Sequence, residues 1–518
     1  MISGRLMSVI NNSIVIYKIL NKINDFCGMK KRFVFVYILS ILFNSATAQS
    51  NAIVGRWYGK LETGSFNLDL YFNIKTLSIG DNETIYQTRM DVPMQSLKNH
   101  PFDETNFNKK KLTLTDGKLG IYFEGKLSDT NKITGTFKQR GKLIPLTLIK
   151  SYGVINNTKP QTPVAPFPYK SKQVSFSNQD GKIKFSGSIT YPNSTDSTQK
   201  FPSVILFTGS GAQDRDESIG NHKPFAVIAD YLTKAGYAVL RVDDRGAGFT
   251  KASPDKLKYT TEDLIEDGDA YFKFLINQPM VNSNKVYLVG HSEGGSIATG
   301  VAKKNPSVAG IIGLAPMLAT WSETNTYQNY WALKNGGVDS LIIDNYIGLH
   351  KLLLFKLCNE REIPSDSISA TIIRFCYNEW KTNSIYGTDK IKKKVISYFE
   401  KAYKDKFLTV LNAQYTALFT NPWMFNFFKI LPSAELVQLR LPILVLQGKL
   451  DQQISYTQSE DVVKMLQTVG RNIQIEIFEN HNHLLQHCKT GNINEYFDNT
   501  ESVSPEVLKA ISEWLRRN

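Results

Sequence analysis

The sequence predicts an α/β protein: a mostly parallel sheet covered by helices on both faces, with a helical cap insertion, preceded by a small all-β domain. Three observations support this prediction. From about residue 171 onward, apolar strands alternate with amphipathic helical stretches, which is typical of a doubly wound parallel sheet. The alternation lapses at about 317–440, and residues before 150 follow a period of two instead.

The chain of 518 residues is long enough for several domains. Its formal charge of +14 is spread thinly, with only short clusters of basic residues such as 109–111 and 392–394. Nucleic-acid binding normally concentrates positive charge on one face of a protein. We therefore expect no nucleic-acid partner.

The stretch after Met29 has the layout of a signal peptide. Basic residues are followed by an apolar run at 33–43, too short to span a bilayer, and by small residues at 46–48. We expect residues 1–48 to be a targeting segment whose removal leaves no stable membrane span, so that the protein is periplasmic or secreted. The pattern also favours Met29 as the true start. An uncleaved membrane anchor is the alternative.

Removal of residues 1–48 leaves three cysteines, Cys358, Cys376 and Cys488. Three cysteines cannot all pair within one chain, so the sequence excludes a disulfide-dense scaffold. A single disulfide bridge between Cys358 and Cys376 is the remaining alternative.

Residues 51–150 predict a small β-barrel or β-sandwich domain. Runs such as "FNLDLYFNI" alternate apolar and polar residues, and turn residues separate one run from the next. Four aromatic residues are expected in the core, with ligand binding as their alternative role: Trp57, Tyr58, Tyr71 and Phe72. A linker follows at 151–170, where four prolines within nine positions favour an extended, stiff chain.

Residues 171–518 are expected to form the α/β domain, beginning with a hairpin around Asp180 and Gly181. Six apolar runs predict its strands, at 202–208, 237–242, 285–290, 309–315, 442–447 and 473–478. Five amphipathic stretches predict helices, near 223–235, 261–278, 294–304, 457–468 and 505–516. The aromatic-rich stretch at about 317–440 separates two neighbouring strands of this pattern, as an inserted helical cap would. We expect most of its aromatic residues in a core and some in a substrate pocket.

The sequence "GHSEGG", residues 290–295, lies where an apolar strand passes into a helix. A serine in this context, with glycines two residues before and after it, predicts a nucleophile elbow. The strained turn requires small neighbours, which Gly290 and Gly294 supply. Ser292 is therefore the candidate nucleophile, and a flexible turn is the alternative. We expect His291 to pack beneath the turn.

A serine hydroxyl needs a base, and the base needs an orienting acid. Asp451 directly follows the strand at 442–447 and is the candidate acid. Three histidines follow the next strand. We favour His483 as the base because the apolar pair after it would anchor the loop, with His481 as the alternative and His487 on the surface.

An oxyanion hole would combine the backbone N–H of Glu293 with one from the loop after the first parallel strand. Glycines on either side of Ser210 allow a substrate to approach the backbone, so the second donor is Ser210 or Gly211. Glu293 is expected to act through its backbone more than its carboxylate. The charged residues 214–216 and Arg245 are expected to fix loops by ion pairs. A phosphate-binding loop is disfavoured because no Gly-Lys-Ser/Thr follows.

Five motifs in this order resemble the α/β-hydrolase superfamily: "GSGAQDRDE", "VDDRGAGFT", "GHSEGG", "QGKLDQQI" and "NHNHLL". They are similar in particular to secreted bacterial serine esterases related to dienelactone hydrolases and prolyl-oligopeptidase-type hydrolases, some of which carry an N-terminal β-domain. The resemblance covers about residues 170–518. It implies hydrolysis of carboxylic esters through an acyl-enzyme, with Ser292, Asp451 and His483 as the triad.

Two departures limit what the resemblance implies. Dienelactone hydrolases use cysteine where this chain has Ser292, which argues against that activity. A β-domain in place of a large propeller weakens a peptidase interpretation. No metal or cofactor is implied, and the expected substrate is a small-molecule or glycan-linked ester. The alternatives are a peptidase-type or thioester hydrolase, acyl transfer to another acceptor, and a non-catalytic glycan- or lipid-binding protein.

Overall fold

The computed structural model describes residues 52–62, 67–79, 83–92, 97–117, 119–139, 142–151, 159–196 and 198–518. The targeting segment expected at 1–48, with its proposed start at Met29, lies outside the described residues. Within the described ranges, no helix has the length and apolar character needed to cross a bilayer.

In the described part of the N-terminal region, antiparallel strands form one curled sheet. They are β1 (Gly55–Glu62), β2 (Asn67–Ile79), β3 (Glu83–Val92), β4 (Leu97–Pro101), β5 (Glu104–Asn108), β6 (Lys111–Asp116), β7 (Ile121–Asp129), β8 (Lys132–Gln139) and β9 (Lys142–Ser151). Their order is β4-β3-β2-β1-β9-β8-β7-β6-β5. Thr88 of β3 accepts hydrogen bonds from Phe102 N at 3.0 Å and, through Oγ1, from Thr105 Oγ1 at 2.9 Å. The edge strand β5 therefore lies against β3, as in a barrel.

Alternate side chains of β1 and β2 face the core of this sheet. Trp57 and Phe72 are fully buried, whereas their neighbours Tyr58 and Tyr71 are only half-buried. Tyr58 Oη donates to Asp69 Oδ1 at 2.7 Å. The expectation of a core position was therefore wrong for Tyr58 and Tyr71, because successive residues of a strand face opposite sides of the sheet.

A second, mostly parallel sheet organises the rest of the chain. Its strands are β10 (Lys170–Ser177), β11 (Ile183–Tyr191), β12 (Phe201–Phe207), β13 (Ala238–Val242), β14 (Lys251–Ala252), β15 (Val281–His291), β16 (Gly310–Leu314), β17 (Ile443–Gly448) and β18 (Ile473–Phe478). The order is β10-β11-β13-β12-β15-β16-β17-β18, with the short β14 paired to β11. Along this order, each pair in the run β13-β12-β15-β16-β17-β18 is parallel. The predicted fold class is confirmed.

The helices are α1 (Pro224–Lys234), α2 (Thr261–Ile276), α3 (Glu293–Lys304), α4 (Trp321–Asn335), α5 (Ser340–Cys358), α6 (Asp366–Thr382), α7 (Asp389–Tyr403), α8 (Phe407–Phe419), α9 (Pro422–Phe427), α10 (Pro432–Leu436), α11 (Tyr456–Thr468), α12 (Glu495–Asp498) and α13 (Pro505–Arg517). Short 3-10 turns occur at Pro254–Leu257 and Ser384–Tyr386. Apolar side chains of α2, α3 and α11 pack on one face of the sheet, and those of α1 and α13 pack on the other. Because both faces are covered, the central strands are apolar along their whole length.

Helices α4 to α10 form the cap between β16 and β17. They enclose a core of their own, with Leu353, Trp380 and Phe419 fully buried in it. The expected helical insertion is thus present. Cys358 and Cys376 lie on α5 and α6 as free thiols, so the bridge that the sequence left open does not form in the structure.

The described part of the linker is anchored to the segment before α13. Lys159 Nζ donates to the carbonyl oxygens of Phe497 at 2.8 Å and of Asn499 at 2.5 Å. Gln161 Nε2 donates to Val503 O at 2.8 Å. The chain between the two sheets is therefore held against the α/β domain at these points.

Candidate active site

Ser292 occupies a strained turn between β15 and α3. Its backbone has φ 53° and ψ −117°, a conformation that costs free energy for a residue with a side chain. A Cβ atom on Gly290 would lie 2.1 Å from Gly294 O, and one on Gly294 would lie 2.3 Å from Phe207 O. Only glycine therefore fits at both positions. The turn places Ser292 at the carboxyl end of β15, beside the start of a helix.

Asp451 and His483 form a buried pair at the carboxyl ends of β17 and β18. His483 Nδ1 lies 2.8 Å from Asp451 Oδ2, and both residues are buried. The other carboxylate oxygen, Oδ1, accepts the backbone N–H groups of Gln453 at 2.7 Å and Ile454 at 2.9 Å. Gln447 Nε2 donates to Oδ2 at 2.9 Å. The structure thus brings His483 to Asp451, and places His481 elsewhere.

Ser292 and His483 line one cavity of about 470 Å³ between the sheet and the cap. Within the described residues, no hydrogen bond joins the two side chains. Such bonds are often long in a site without substrate and shorten in the reactive complex. The remaining wall includes residues of the predicted oxyanion loop and aromatic residues of the cap and the C-terminal segment: Gly209, Ser210, Gly211, Glu293, Trp321, Trp423, Phe427, Tyr496 and Phe497.

The loop after β12 passes close to the elbow. A Cβ atom on Gly209 would lie 3.4 Å from Ser292 Cβ, and Gly211 has a positive φ of 95°. Ser210 and Gly211 both line the cavity. Glu293 is the first residue of α3, and the first N–H groups of a helix have no acceptor inside the helix. The predicted donors therefore surround the same space as Ser292.

His291 makes contacts that the sequence analysis missed. Its Nδ1 lies 2.8 Å from Glu217 Oε1, and its Nε2 lies 3.0 Å from His483 O. The same Glu217 oxygen accepts the N–H of Gly209 at 2.8 Å. Two buried side chains thus connect the loop after β12, the elbow and the loop of His483. Both partners lie in motifs of the sequence: Glu217 ends "GSGAQDRDE", and His291 precedes the serine of the elbow.

The surroundings of His291 favour its charged form. Burial lowers the pKa of the imidazole, but the Glu217 carboxylate, its hydrogen bond and the bond to His483 O outweigh burial. The pKa of His291 is therefore raised above its ordinary value. The expectation that His291 packs beneath the turn did not include these polar contacts.

The carboxylate of Glu293 joins three elements. Its Oε1 accepts from Thr261 Oγ1 at 2.8 Å and from Trp423 Nε1 at 3.0 Å. Burial raises the pKa of this carboxyl group. The elbow helix α3 is thereby tied to α2 and to cap helix α9. The expectation that Glu293 matters mainly through its backbone overlooked this connection.

Arginine pairs fix the loops beneath the cavity, as expected. Arg215 binds Asp243 through two hydrogen bonds, Nε to Oδ1 at 2.9 Å and Nη2 to Oδ2 at 2.7 Å. Arg245 binds Asp267 in the same way, at 2.6 Å and 2.7 Å. Paired guanidinium and carboxylate groups of this geometry fix orientation as well as charge. Asp216 accepts from Lys223 Nζ at 3.0 Å and also pairs with Arg241.

Two family models match parts of the α/β domain. One, described as serine aminopeptidase, S33, matches residues 220–349. The other, described as the prolyl oligopeptidase family, matches residues 396–501. Each model extends into one end of the cap, and together they include Ser292, Asp451 and His483.

The chain is also similar to proteins named as esterases and lipases. Esterase EstD of Thermotoga maritima is 30% identical over 203 residues, which is 39% of this chain and 44% of that protein. The monoglyceride lipase of Saccharomyces cerevisiae is 27% identical over 164 residues, 30% of this chain and 49% of that protein. The matches thus span about half the length of these relatives.

Among solved structures, the Pyrococcus furiosus esterase Pf2001 aligns over 71% of this chain and 99% of its own, with 15% identity and a TM-score of 0.39. The second sheet is mostly parallel, with the elbow of Ser292 between β15 and α3, and both family models match within this domain. The chain thus has an α/β-hydrolase fold and is similar to serine hydrolases of that superfamily.

Proposed function

We propose that the protein is a serine hydrolase that cleaves carboxylic esters through an acyl-enzyme intermediate. One observation carries this proposal: His483, whose Nδ1 lies 2.8 Å from Oδ2 of the buried Asp451, lines the same cavity as a serine in a strained elbow. A nucleophile, a base and an orienting acid are the groups that acyl transfer to serine requires. The similarity to proteins named esterase and monoglyceride lipase supports the same reaction.

In this mechanism, Ser292 Oγ attacks the ester carbonyl carbon while His483 Nε2 takes the hydroxyl proton. Asp451 holds the Nδ1–H group and stabilises the imidazolium that forms. The oxyanion accepts hydrogen bonds from the N–H of Glu293 and from the N–H of Ser210 or Gly211. His483 then gives its proton to the departing alcohol. Water, activated by the same base, attacks the acyl-enzyme and releases the acid.

The wall of the cavity favours an ester over a peptide with a free amino terminus. An aminopeptidase needs a carboxylate to receive the substrate's ammonium group. The carboxylates of Glu217 and Glu293 are each 1% exposed, and both accept hydrogen bonds from the protein itself. Met317 and Phe427 add apolar surface that fits an acyl chain or an apolar alcohol. Because the descriptions of both family models name peptidases, peptide hydrolysis is the second candidate.

The natural substrate class follows from the proposed location. On the pattern of residues 29–48, we propose that the protein is exported to the periplasm or the medium. Coenzyme A thioesters are intracellular and are therefore disfavoured. Small-molecule or glycan-linked esters remain the proposed substrates.

The deciding experiment compares p-nitrophenyl esters of graded chain length with aminoacyl p-nitroanilides, using the wild type, Ser292→Ala and Ser296→Ala. Ser296 is the matched control because it lies one turn further along α3 and its Oγ has no hydrogen-bond partner in the described residues. We expect Ser292→Ala to lower kcat by about 10⁴-fold or more and Ser296→Ala to retain activity. A fluorophosphonate probe should label the wild type and the control alone.

Each contrary result points to a named alternative. Undiminished esterase activity in Ser292→Ala would refute the assignment of the nucleophile. Faster cleavage of anilides than of esters would support the peptidase. A folded wild-type protein that neither turns over substrate nor reacts with the probe would indicate a binding protein.

A further inference from the structure

The ring of His481 is buried without a polar partner. The residue is 4% exposed, and neither Nδ1 nor Nε2 has a hydrogen-bond partner in the described residues. A neutral imidazole carries one donor and one acceptor, and leaving both unpaired in the interior costs free energy. The ring therefore needs a partner other than these protein atoms.

Two further metal-ligating side chains lie beside it. The ligand atoms of His481, His487 and Glu506 all lie within 4.8 Å of one another. His487 Nε2 is 3.4 Å from Glu506 Oε1. Two ligands bound tetrahedrally at 2.0–2.1 Å to one zinc ion lie about 3.3 Å apart. The His487–Glu506 separation already has that value.

Glu501 orients the ring of His487 toward the same point. Its Oε1 lies 3.1 Å from His487 Nδ1, and its Oε2 lies 3.2 Å from the same nitrogen. With the proton on Nδ1 directed at this carboxylate, the lone pair of Nε2 faces Glu506. A carboxylate behind a histidine in this arrangement is the usual second partner of a metal-bound imidazole.

The cluster is accessible from one side and closed on the other. The side chains of His487 and Glu506 are 46% and 57% exposed, whereas His481 lies in the interior. The histidines belong to the loop after β18, and Glu506 belongs to the first turn of α13. An ion held here would join that loop to the helix.

We propose that His481, His487 and Glu506 bind a divalent transition-metal ion, with Zn²⁺ as the best match. Two imidazoles and one carboxylate form a ligand set that suits zinc, and water completes the four positions. The ion has no part in the acyl chemistry, because His483 is directed to Asp451 instead. The ion holds the loop that contains His483 against helix α13. No metal is implied by the sequence, in which His481 and His487 lie in one short run whereas Glu506 comes from the separate segment that forms α13.

A competing interpretation treats His487 as an imidazolium between two carboxylates. It accounts for the contacts to Glu501 and Glu506. It leaves both nitrogens of His481 without a partner, whereas a metal ion supplies a partner for one of them. Direct measurement of metal binding separates the two interpretations.

The test uses the full chain, stripped with a chelator and then dialysed against ZnCl₂. We expect about one zinc ion per chain by elemental analysis, and a higher Tm with zinc than without it. Glu506→Gln should weaken zinc binding at least tenfold and abolish the Tm shift, and His481→Ala should do the same. Two matched controls should bind like the wild type: Glu513→Gln, a carboxylate on the same helix, and His100→Gln, a histidine of the first sheet.

Two results would overturn the proposal. One is binding of much less than one zinc ion per wild-type chain. The other is equal affinity in Glu506→Gln and Glu513→Gln. Because Glu506 is exposed, Glu506→Gln keeps the test valid even if His481→Ala does not fold. Zinc binding is measured without substrate, so either result is independent of the proposed esterase activity.

Discussion

Two buried histidine–carboxylate pairs lie side by side at the cavity. In each, a ring Nδ1 is 2.8 Å from a carboxylate oxygen, of Asp451 for His483 and of Glu217 for His291. The two ring centroids are 4.7 Å apart. His291 Nε2 is bonded to His483 O, whereas His483 Nε2 makes no hydrogen bond within the described chain. A ring with one free nitrogen can transfer a proton to and from a substrate, and a ring with both nitrogens engaged can only hold position.

The partners also fix the proton content of His291. Each ring nitrogen of His291 faces an oxygen that can accept a hydrogen bond, and a ring that donates to both carries protons on both nitrogens. The contacts of His291 are therefore those of an imidazolium, in agreement with its raised pKa. Its position between the loop of His483 and the loop of Gly209 indicates that it positions both loops.

Replacing the carboxylate by an amide in each pair should give the largest difference between proton transfer and positioning. Asp451→Asn should lower kcat by about 10⁴-fold, because an amide favours the wrong tautomer of the proposed base. Glu217→Gln should lower kcat only about tenfold, because it weakens a positioning contact. Steady-state kinetics on one p-nitrophenyl ester measure both. Equal losses would contradict the assignment of different functions to the two pairs.

The second expected effect is on stability. Because the folded-state pKa of His291 is raised, its contribution to stability is fully present below its ordinary pKa of about 6.5. That contribution is lost as pH rises through the raised value. We expect the free energy of unfolding to fall by about 1.5–3 kcal/mol over this window, the value of a hydrogen bond to a charged group. Urea unfolding at a series of pH values measures it.

His291→Gln should remove this part of the pH dependence, because glutamine does not titrate. The control Ser296→Ala should keep the wild-type fall. A pH profile that is the same in His291→Gln and the wild type would show that His291 is not the group responsible.

The smallest expected effect concerns the cap. Trp423→Phe removes the donor that binds the Glu293 carboxylate, and we expect a loss of about 1 kcal/mol, roughly fivefold in kcat/KM. Trp321 lines the same cavity, but its Nε1 has no hydrogen-bond partner in the described residues. Trp321→Phe is therefore the matched control and should lower kcat/KM by less than Trp423→Phe does. Equal losses would show that ring size, not the bond to Glu293, accounts for the effect.

The parts of the fold that depend on local pattern were predictable from sequence. Strands such as β15 and β17 are buried on both faces and appear as continuous apolar runs. The elbow was predictable because the small residues around Ser292 satisfy a steric requirement within five positions. The boundaries of the individual cap helices were not predicted, since an aromatic-rich stretch with weak periodicity indicates helix without showing where each helix begins.

Contacts between distant segments were not predictable from one sequence. The choice of His483 over His481 depends on which ring the loop turns toward Asp451, and both residues lie in the same short run. Glu217 and His291 are 74 positions apart, and the sequence around each residue does not indicate the other as its partner. Tyr58 and Tyr71 are a different case, because strand alternation alone places them on the opposite face from their buried neighbours Trp57 and Phe72.

The cap lies between two strands that pair directly, with Ile311 opposite Ile443. In an unfolded chain, the long connection makes this pairing slow, although each doubling of a loop costs only about 0.6 kcal/mol in closure entropy. The cap has its own core, so its folding brings its two ends together and shortens the effective loop. We expect the cap to form before β17 pairs with β16, which shortens the loop to be closed at the step that brings Asp451 and His483 to the sheet.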